Sequence, residues 1–385
     1  MSGFQPARRL RGIEKSAIRQ FFDRAPAGSI NLGLGEPDLP TPDVVRQAAA
    51  RAVLQEQNGY TMHAGLPVLR ERIANEYRHL QPDPDRVIVT AGSQEALYLA
   101  LTTIVDEGDE VLIPDPGFVA YPAIVRMAGG RPEFYHLPAR RDFGLDLEDF
   151  RKRISPRTKA VVCISPSNPT GRALTADELR GMAKALEGSG AIVISDEIYR
   201  ELYFGDVRPP SIADYYADTV IVSGLSKSMS MTGWRLGWLY GPPAVVASAL
   251  VLHGYVTTCA SAISQKAGLA AWTPEGEEGR GKQRRTFHER REQLIRLLGA
   301  AGLRAVAPDG AFYTMVDVSA YGSSMAVAEA LLAQGVITVP GSAFGSEGEG
   351  FLRVSFCADE GALTEGVRRM SAALATLKPR QELTV

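Results

Sequence analysis

Between residues 86 and 240 the chain keeps switching its hydrophobic period. Short runs rich in valine and isoleucine stand at 86–90, 110–114, 160–165, 191–196, 220–223 and 236–240, and several of them lack polar alternation. Strands buried on both faces read this way. Stretches with helical spacing lie between them, for example 94–105 and 176–186. Strand and helix in alternation predict an α/β fold: a large, mostly parallel sheet with helices on both faces. From 286 onward the pattern changes to a charged helical segment (286–298), strand-like pieces (311–318 and 351–356) and a closing helix (360–377), which predict a smaller α+β domain. The expected organisation is an N-terminal arm over 1–40 that packs with the small domain, a large domain over 41–280 and the small domain over 281–385. The last residues, KPRQELTV, are expected to fray.

Composition narrows the function classes. A chain of 385 residues, 45% of them hydrophobic, can bury a large core, and a net charge of −2 lacks the basic footprint of a nucleic-acid binder. The opening MSGFQPARRLRG is too polar for a signal peptide, and no apolar run reaches the ~18 residues of a membrane span. Cys163, Cys259 and Cys357 show no paired spacing, and the histidines show no HExxH pattern. A cytoplasmic protein without disulfides or a metal site is expected.

In open α/β sheets, ligands bind where strands end and helices begin, so polar residues at those ends are the candidates. AGSQEAL is a small-residue turn opening a helix, where Ser93 and Gln94 would offer free N–H groups and a favourable dipole to an anion. DPGFVAY puts Phe118 and Tyr121 at a strand end, where aromatic residues more often pack than bind. PSNPTG carries Asn168 between two prolines, as many plain turns do. ISDEIYR ends an apolar run at Asp196, with Tyr199 just beyond. A buried carboxylate requires a cationic partner, and a structural arginine would serve as well as a ligand. SGLSKSMSMTGWRLG brings Lys227 and Arg235 to the next strand end. A partly desolvated lysine near a second cation keeps its amine nucleophilic, and an arginine fork suits phosphate. As a set, these groups match the needs of pyridoxal phosphate, whose aldehyde condenses with a lysine, whose phosphate takes a helix start and an arginine, and whose ring nitrogen pairs with a carboxylate. In FLRVSF, strand alternation puts Leu352, Val354 and Phe356 on one face and Arg353 on the other.

The order of these motifs, from LGLGEPDLPTP through NGYTMHAGLPVLRE, AGSQEAL, SPSNPTG, SDEIY and SGLSKSMSMTGWRLG to FLRVSF, resembles the class I/II aminotransferases, pyridoxal-phosphate enzymes with the aspartate aminotransferase fold (fold type I). The resemblance covers nearly the whole chain. It implies that Lys227 holds the cofactor aldehyde and carries protons, that Asp196 partners the ring nitrogen, and that Tyr199 and Asn168 donate to the phenolic oxygen. Phe118 would stack on the ring, where the family usually has tyrosine or tryptophan. Ser93, Gln94 and Arg235 would hold the phosphate. Gly224 stands where many members carry a hydroxyl residue, so Ser226 or Ser223 would supply that contact. Arg353, with Asn168 and the backbone of Gly35, would take the substrate α-carboxylate. Tyr60 would reach the phosphate of a neighbouring subunit, which implies a homodimer with shared sites.

The activity so implied is ping-pong transfer of an amino group between an α-amino acid (aspartate, alanine or an aromatic one) and a 2-oxo acid such as 2-oxoglutarate. A β/γ-lyase or cyclase of the same fold is the alternative, because the first carbanion is common to all of them. A nucleotide-binding oxidoreductase is disfavoured, since AGSQEAL supplies a single glycine of GxGxxG. Ile13, Tyr313 and the segment around Ser261 are candidates for the pocket wall.

Overall fold

The structure, a computed structural model, describes residues 5–15, 17–80 and 82–377. The tail at 378–385, expected to fray, lies outside the described residues. A short strand β1 (Ile30–Asn31) is followed by the seven strands of the main sheet: β2 (Val87–Thr90), β3 (Glu110–Asp115), β4 (Arg131–His136), β5 (Thr158–Ile164), β6 (Ile192–Asp196), β7 (Thr219–Gly224) and β8 (Gly237–Tyr240). Their spatial order is β2-β8-β7-β6-β5-β3-β4, and every pairing is parallel except the two made by β8. The fold is α/β, as expected.

Each central strand splits its side chains between two cores, so both faces of the sheet are covered. Val111 and Ile113 of β3, with Val162 and Ile164 of β5, join the core that includes Leu97 and Leu101 of helix Ser93–Ile104. Leu112, Val161 and Cys163 face the other way, toward Leu179 and Met182 of helix Ala176–Leu186. That helix starts on a capping box, with Thr175 and Glu178 serving each other's backbone N–H. Of the main sheet's strands, the one missing from the sequence expectation is β4. It reads RPEFYH, lies at the sheet edge and is mostly half-exposed. An edge position tolerates Pro132 and needs no continuous apolar run.

The C-terminal part contains β9 (Tyr313–Asp317), β10 (Val336–Ile337), β11 (Val339–Pro340) and β12 (Phe351–Ser355). An antiparallel sheet runs β11-β12-β9, while β10 pairs in parallel with β1 of the N-terminal arm. The charged helix is longer than expected. It spans Pro274–Ala300, starts with Thr273 capping Gly276 N–H and proline in the first turn, and runs unbroken through residue 280, where the sequence suggested a domain boundary. Among the described residues, no helix is long and apolar enough to cross a membrane.

Candidate active site

Five strands direct their following residues to one edge of the main sheet. Ser93 and Gln94 open the helix after β2, Phe118 follows β3, Asn168 follows β5, Asp196 ends β6 and Lys227 follows β7. Arg235 enters from the same edge, because β8 runs antiparallel and begins two residues later at Gly237. Arg353 and Tyr313 close the space from the antiparallel sheet, and Gly35 closes it from the loop after β1. All of these line one cleft of about 510 Å³.

One end of the cleft is built for an anion. Gly92, with φ of 84°, caps helix Ser93–Ile104 and offers no side-chain cap. Among the described residues, the N–H groups of Ser93 and Gln94 have no protein acceptor. Arg235 sits beside them in a left-handed conformation, φ 53°. Its Nη1 donates to Thr232 O at 2.9 Å and its Nη2 to Ala91 O at 3.3 Å. A Cβ on Gly92 would collide with that guanidinium, and one on Gly237 would collide with the backbone at Gly92–Ser93. Both glycines are therefore what lets the arginine and the helix start lie together. Ser226 is buried on the cleft wall, whereas Ser223 turns away and donates to Glu197 O at 3.2 Å. Gly224 has no room for a side chain, since a Cβ there would stand 2.8 Å from Leu236 O on the neighbouring segment.

At the middle of the cleft lies a buried carboxylate without a cation. Asp196 accepts from Tyr121 Oη at 2.8 Å and from Ile198 N–H at 3.2 Å. Among the described residues it makes no ion pair, and burial pushes its carboxyl up to about 6. Phe118 packs edge-to-face on Tyr121, ring centroids 5.6 Å apart. Tyr199 Oη lies 3.0 Å from Tyr313 Oη, and burial holds the Tyr199 phenol well above its ordinary range, so it remains a donor.

The far end carries buried positive charge. Arg353, on β12 opposite Met315, is 1% exposed. Its Nη1 donates to Asn168 Oδ1 at 2.8 Å and its Nη2 to Gly33 O, while its Nε has no partner. The Tyr313 and Phe344 rings lie 4.3 and 4.8 Å from its guanidinium carbon. No carboxylate among the described residues pairs with it, an unusual state for a buried arginine. Lys227 Nζ donates to Gly35 O at 2.8 Å. Burial lowers its amine below the ordinary lysine range, and the charges of Arg353 and Arg235 push the same way.

Of the candidates read from the sequence, Lys227, Asp196, Tyr199, Asn168, Phe118, Ser93, Gln94, Ser226, Arg235, Gly35, Arg353 and Tyr313 come together here. Tyr60 does not. It stands 88% exposed in the loop before helix Pro67–Glu76, away from this chain's cleft. Ile13 and Ser261 do not line the cleft either; Ser261 caps helix Ala262–Gly268. Tyr121 packs in the core, as read, and its hydroxyl also holds Asp196. The arm adds Glu14, Arg19 and Phe22 to the cleft wall. No motif marked them, because the arm reaches the site by tertiary packing.

Comparison with known proteins agrees with this geometry. Residues 27–370 match the family model for aminotransferase class I and II. The aspartate aminotransferase of Geobacillus stearothermophilus is 36% identical over 94% of this chain and 97% of its own length. Aromatic-amino-acid aminotransferase 2 of Thermococcus litoralis is 34% identical over 95% of this chain and 97% of its own. The structure of the Thermus thermophilus aspartate aminotransferase with maleate superposes with a TM-score of 0.91 at 34% identity, covering 96% of this chain and 100% of that one. The chain belongs to the class I and II aminotransferases, with fold type I. The family depends on pyridoxal 5′-phosphate, and the cleft fits that cofactor: free N–H groups and Arg235 for a phosphate, uncompensated Asp196 for a protonated ring nitrogen, and a desolvated lysine amine for an aldehyde.

Proposed function

We propose that the chain moves an amino group from an α-amino acid to a 2-oxo acid in two alternating half-reactions, with aspartate, alanine or an aromatic amino acid as donor and 2-oxoglutarate as acceptor. The observation that carries this reading is Arg353, a buried guanidinium with an unpartnered Nε and no carboxylate, facing the same cleft as the Lys227 amine. An α-carboxylate supplies the missing charge, and its binding leaves the α-carbon on the Lys227 side of the cleft.

The geometry supports the following roles. Ser93, Gln94, Ser226 and Arg235 hold the cofactor phosphate, and Phe118 covers the ring face without adding a hydrogen bond. Bound pyridoxal phosphate supplies a protonated ring that accepts the electron pair left at the α-carbon. Asp196 keeps that ring nitrogen protonated, and Tyr121 steadies Asp196. Asn168 spends its Oδ1 on Arg353, which leaves its Nδ2 to donate, alongside Tyr199 Oη, to the phenolic oxygen. Lys227 Nζ takes the α-proton and returns it at the other carbon, acting as general base and then acid.

We further propose a homodimer with shared sites, acting in the cytoplasm. Tyr60 and Met62 of the loop before helix Pro67–Glu76 and Val251 and Tyr255 of helix Pro243–Val256 are all exposed, and a Cβ on Gly254 would lie 3.2 Å from His63, so that loop and helix Pro243–Val256 lie side by side. The test of the reaction is a single half-reaction. With amino acid alone, an aminotransferase converts its cofactor stoichiometrically to the amine form and releases a 2-oxo acid. A lyase or cyclase instead returns to its starting spectrum, the lyase releasing ammonia, and that outcome would refute amino transfer. The donor is assigned by running aspartate, alanine and aromatic amino acids against 2-oxoglutarate. The relatives' names divide between aspartate and aromatic donors at similar identity, so the panel decides among them.

A further inference from the structure

At the carboxyl end of β3, Asp115 is buried, and among the described residues it has no cationic partner. Its oxygens are served instead by the turn between β11 and β12. Oδ2 accepts from Ser346 N–H at 3.0 Å and from Ser346 Oγ at 2.6 Å, and Oδ1 accepts from Glu347 N–H at 3.0 Å. These N–H groups open the short helix Ser346–Gly348, whose own cap residue, Gly345, has no side chain to offer. The large sheet thus caps a helix of the small domain. Gly345, with φ of 134°, allows this, since a Cβ there would overlap the Asp115 carboxylate. Two further ties join the same parts: Gly117 N–H donates to Phe344 O at 2.9 Å, and His136 Nδ1 of β4 lies 3.3 Å from Glu347 Oε1.

What this clasp holds matters for the site. Phe344 is buried two residues before Ser346, and its ring centroid lies 4.8 Å from the Arg353 guanidinium carbon. Phe118, on the cofactor side of the cleft, follows Asp115 by three residues. We infer that Asp115 is a positioning residue: by gripping the Ser346–Glu347 turn it sets Phe344, and through Phe344 the Arg353 guanidinium, at a fixed distance from the cofactor-side loop. It does not line the cleft. A fully solvated loop would need no buried charge for its own stability; a carboxylate that spends every contact on one turn fixes that turn's place. The inference rests on Arg353 as reader of the substrate carboxylate.

The experiment compares Asp115→Asn, Phe344→Leu and the double variant as holoenzymes. Whichever way it is turned, an amide presents its NH₂ to a backbone N–H, of Ser346 or of Glu347, so Asp115→Asn should raise KM for both amino acid and 2-oxo acid by about ten-fold. The dissociation constant of maleate, an unreactive dicarboxylate followed through the bound cofactor's absorption, should rise alike, with kcat within about three-fold. The double variant should be no worse than the poorer single one, because both act through one contact; multiplied effects would overturn the inference. Should Asp115→Asn fail to fold, Ser346→Ala paired with Phe344→Leu gives the same cycle, with a single-variant rise of about three-fold. Arg353→Lys separates the two levels. If it leaves KM and maleate binding unchanged, the carboxylate reading itself falls. If it weakens both while Asp115→Asn does not, the inference alone is wrong.

Discussion

Lys227 Nζ donates a 2.8 Å hydrogen bond to the carbonyl oxygen of Gly35, so the amine offered by the main sheet rests on the loop that follows β1. The contact crosses 192 residues of sequence and holds an otherwise desolvated amine in place.

Lys227→Ala should abolish turnover and leave the circular dichroism spectrum unchanged. Borohydride treatment followed by mass spectrometry should find the cofactor fixed to the wild-type chain and not to the variant. Turnover at a wild-type rate in the variant would remove Lys227 from the mechanism.

Asp196 predicts a pH signature in the cofactor-free protein. Its carboxyl ordinarily titrates near 3.8 and burial pushes it up to about 6, so the folded state favours the protonated form. The associated stability is present below pH 3.8 and is lost as pH rises through about 6. At about 1.4 kcal/mol per pH unit, the loss approaches about 3 kcal/mol. Asp196→Asn keeps a neutral side chain at every pH. Its apoprotein should therefore match the wild type near pH 4 and exceed it in urea unfolding at pH 8. The loaded variant should lose most activity while retaining cofactor. Parallel stability curves across that range would contradict the uncompensated carboxylate.

Arg235→Lys tests the anion end. Lysine keeps the charge but cannot hold Thr232 O and Ala91 O and still present a fork. Cofactor affinity, read by titrating apoprotein, should fall about ten-fold. Gly92→Ala should act in the same direction, since its Cβ displaces the same guanidinium. Unchanged affinity in both variants would place the phosphate elsewhere.

Tyr60 tests the assembly. If its hydroxyl serves the phosphate of a second subunit, Tyr60→Phe weakens cofactor binding by about ten-fold to a hundred-fold. Tyr60→Ala and Arg353→Ala, each inactive alone, should regain activity when mixed, up to half of a wild-type dimer in each heterodimer, because one of its two sites escapes both defects. A mixture that stays inactive after proven subunit exchange would exclude a shared site.

The sheet was legible where burial is two-sided, since Val161 and Val162 pack into opposite cores and both must be apolar. It was illegible at β4, where edge exposure permits Arg131, Pro132 and Glu133. The long helix hid its first turns behind Gly276, Gly279 and Gly281. Packing demands the first two of these: a Cβ on Gly276 would strike the Ala270 carbonyl, and one on Gly279 the Pro42 ring. At the site, residues that follow strands could be read because topology fixes where strands end. Tyr121 could not, because only the folded structure shows that its hydroxyl reaches Asp196 while its ring packs in the core.

Helix Pro274–Ala300, 27 residues long, extends for about 40 Å without a break and packs against both helix Asp43–Gln55 and helix Glu360–Thr376. Mechanically it is a beam clamped at each end rather than a tether. Any rotation of the β9–β12 layer over the main sheet must appear as curvature in that beam. Such bending would fall where the rod is most compliant, across the glycines at 276–281, and the stiffer remainder would carry the β9–β12 layer as a lever.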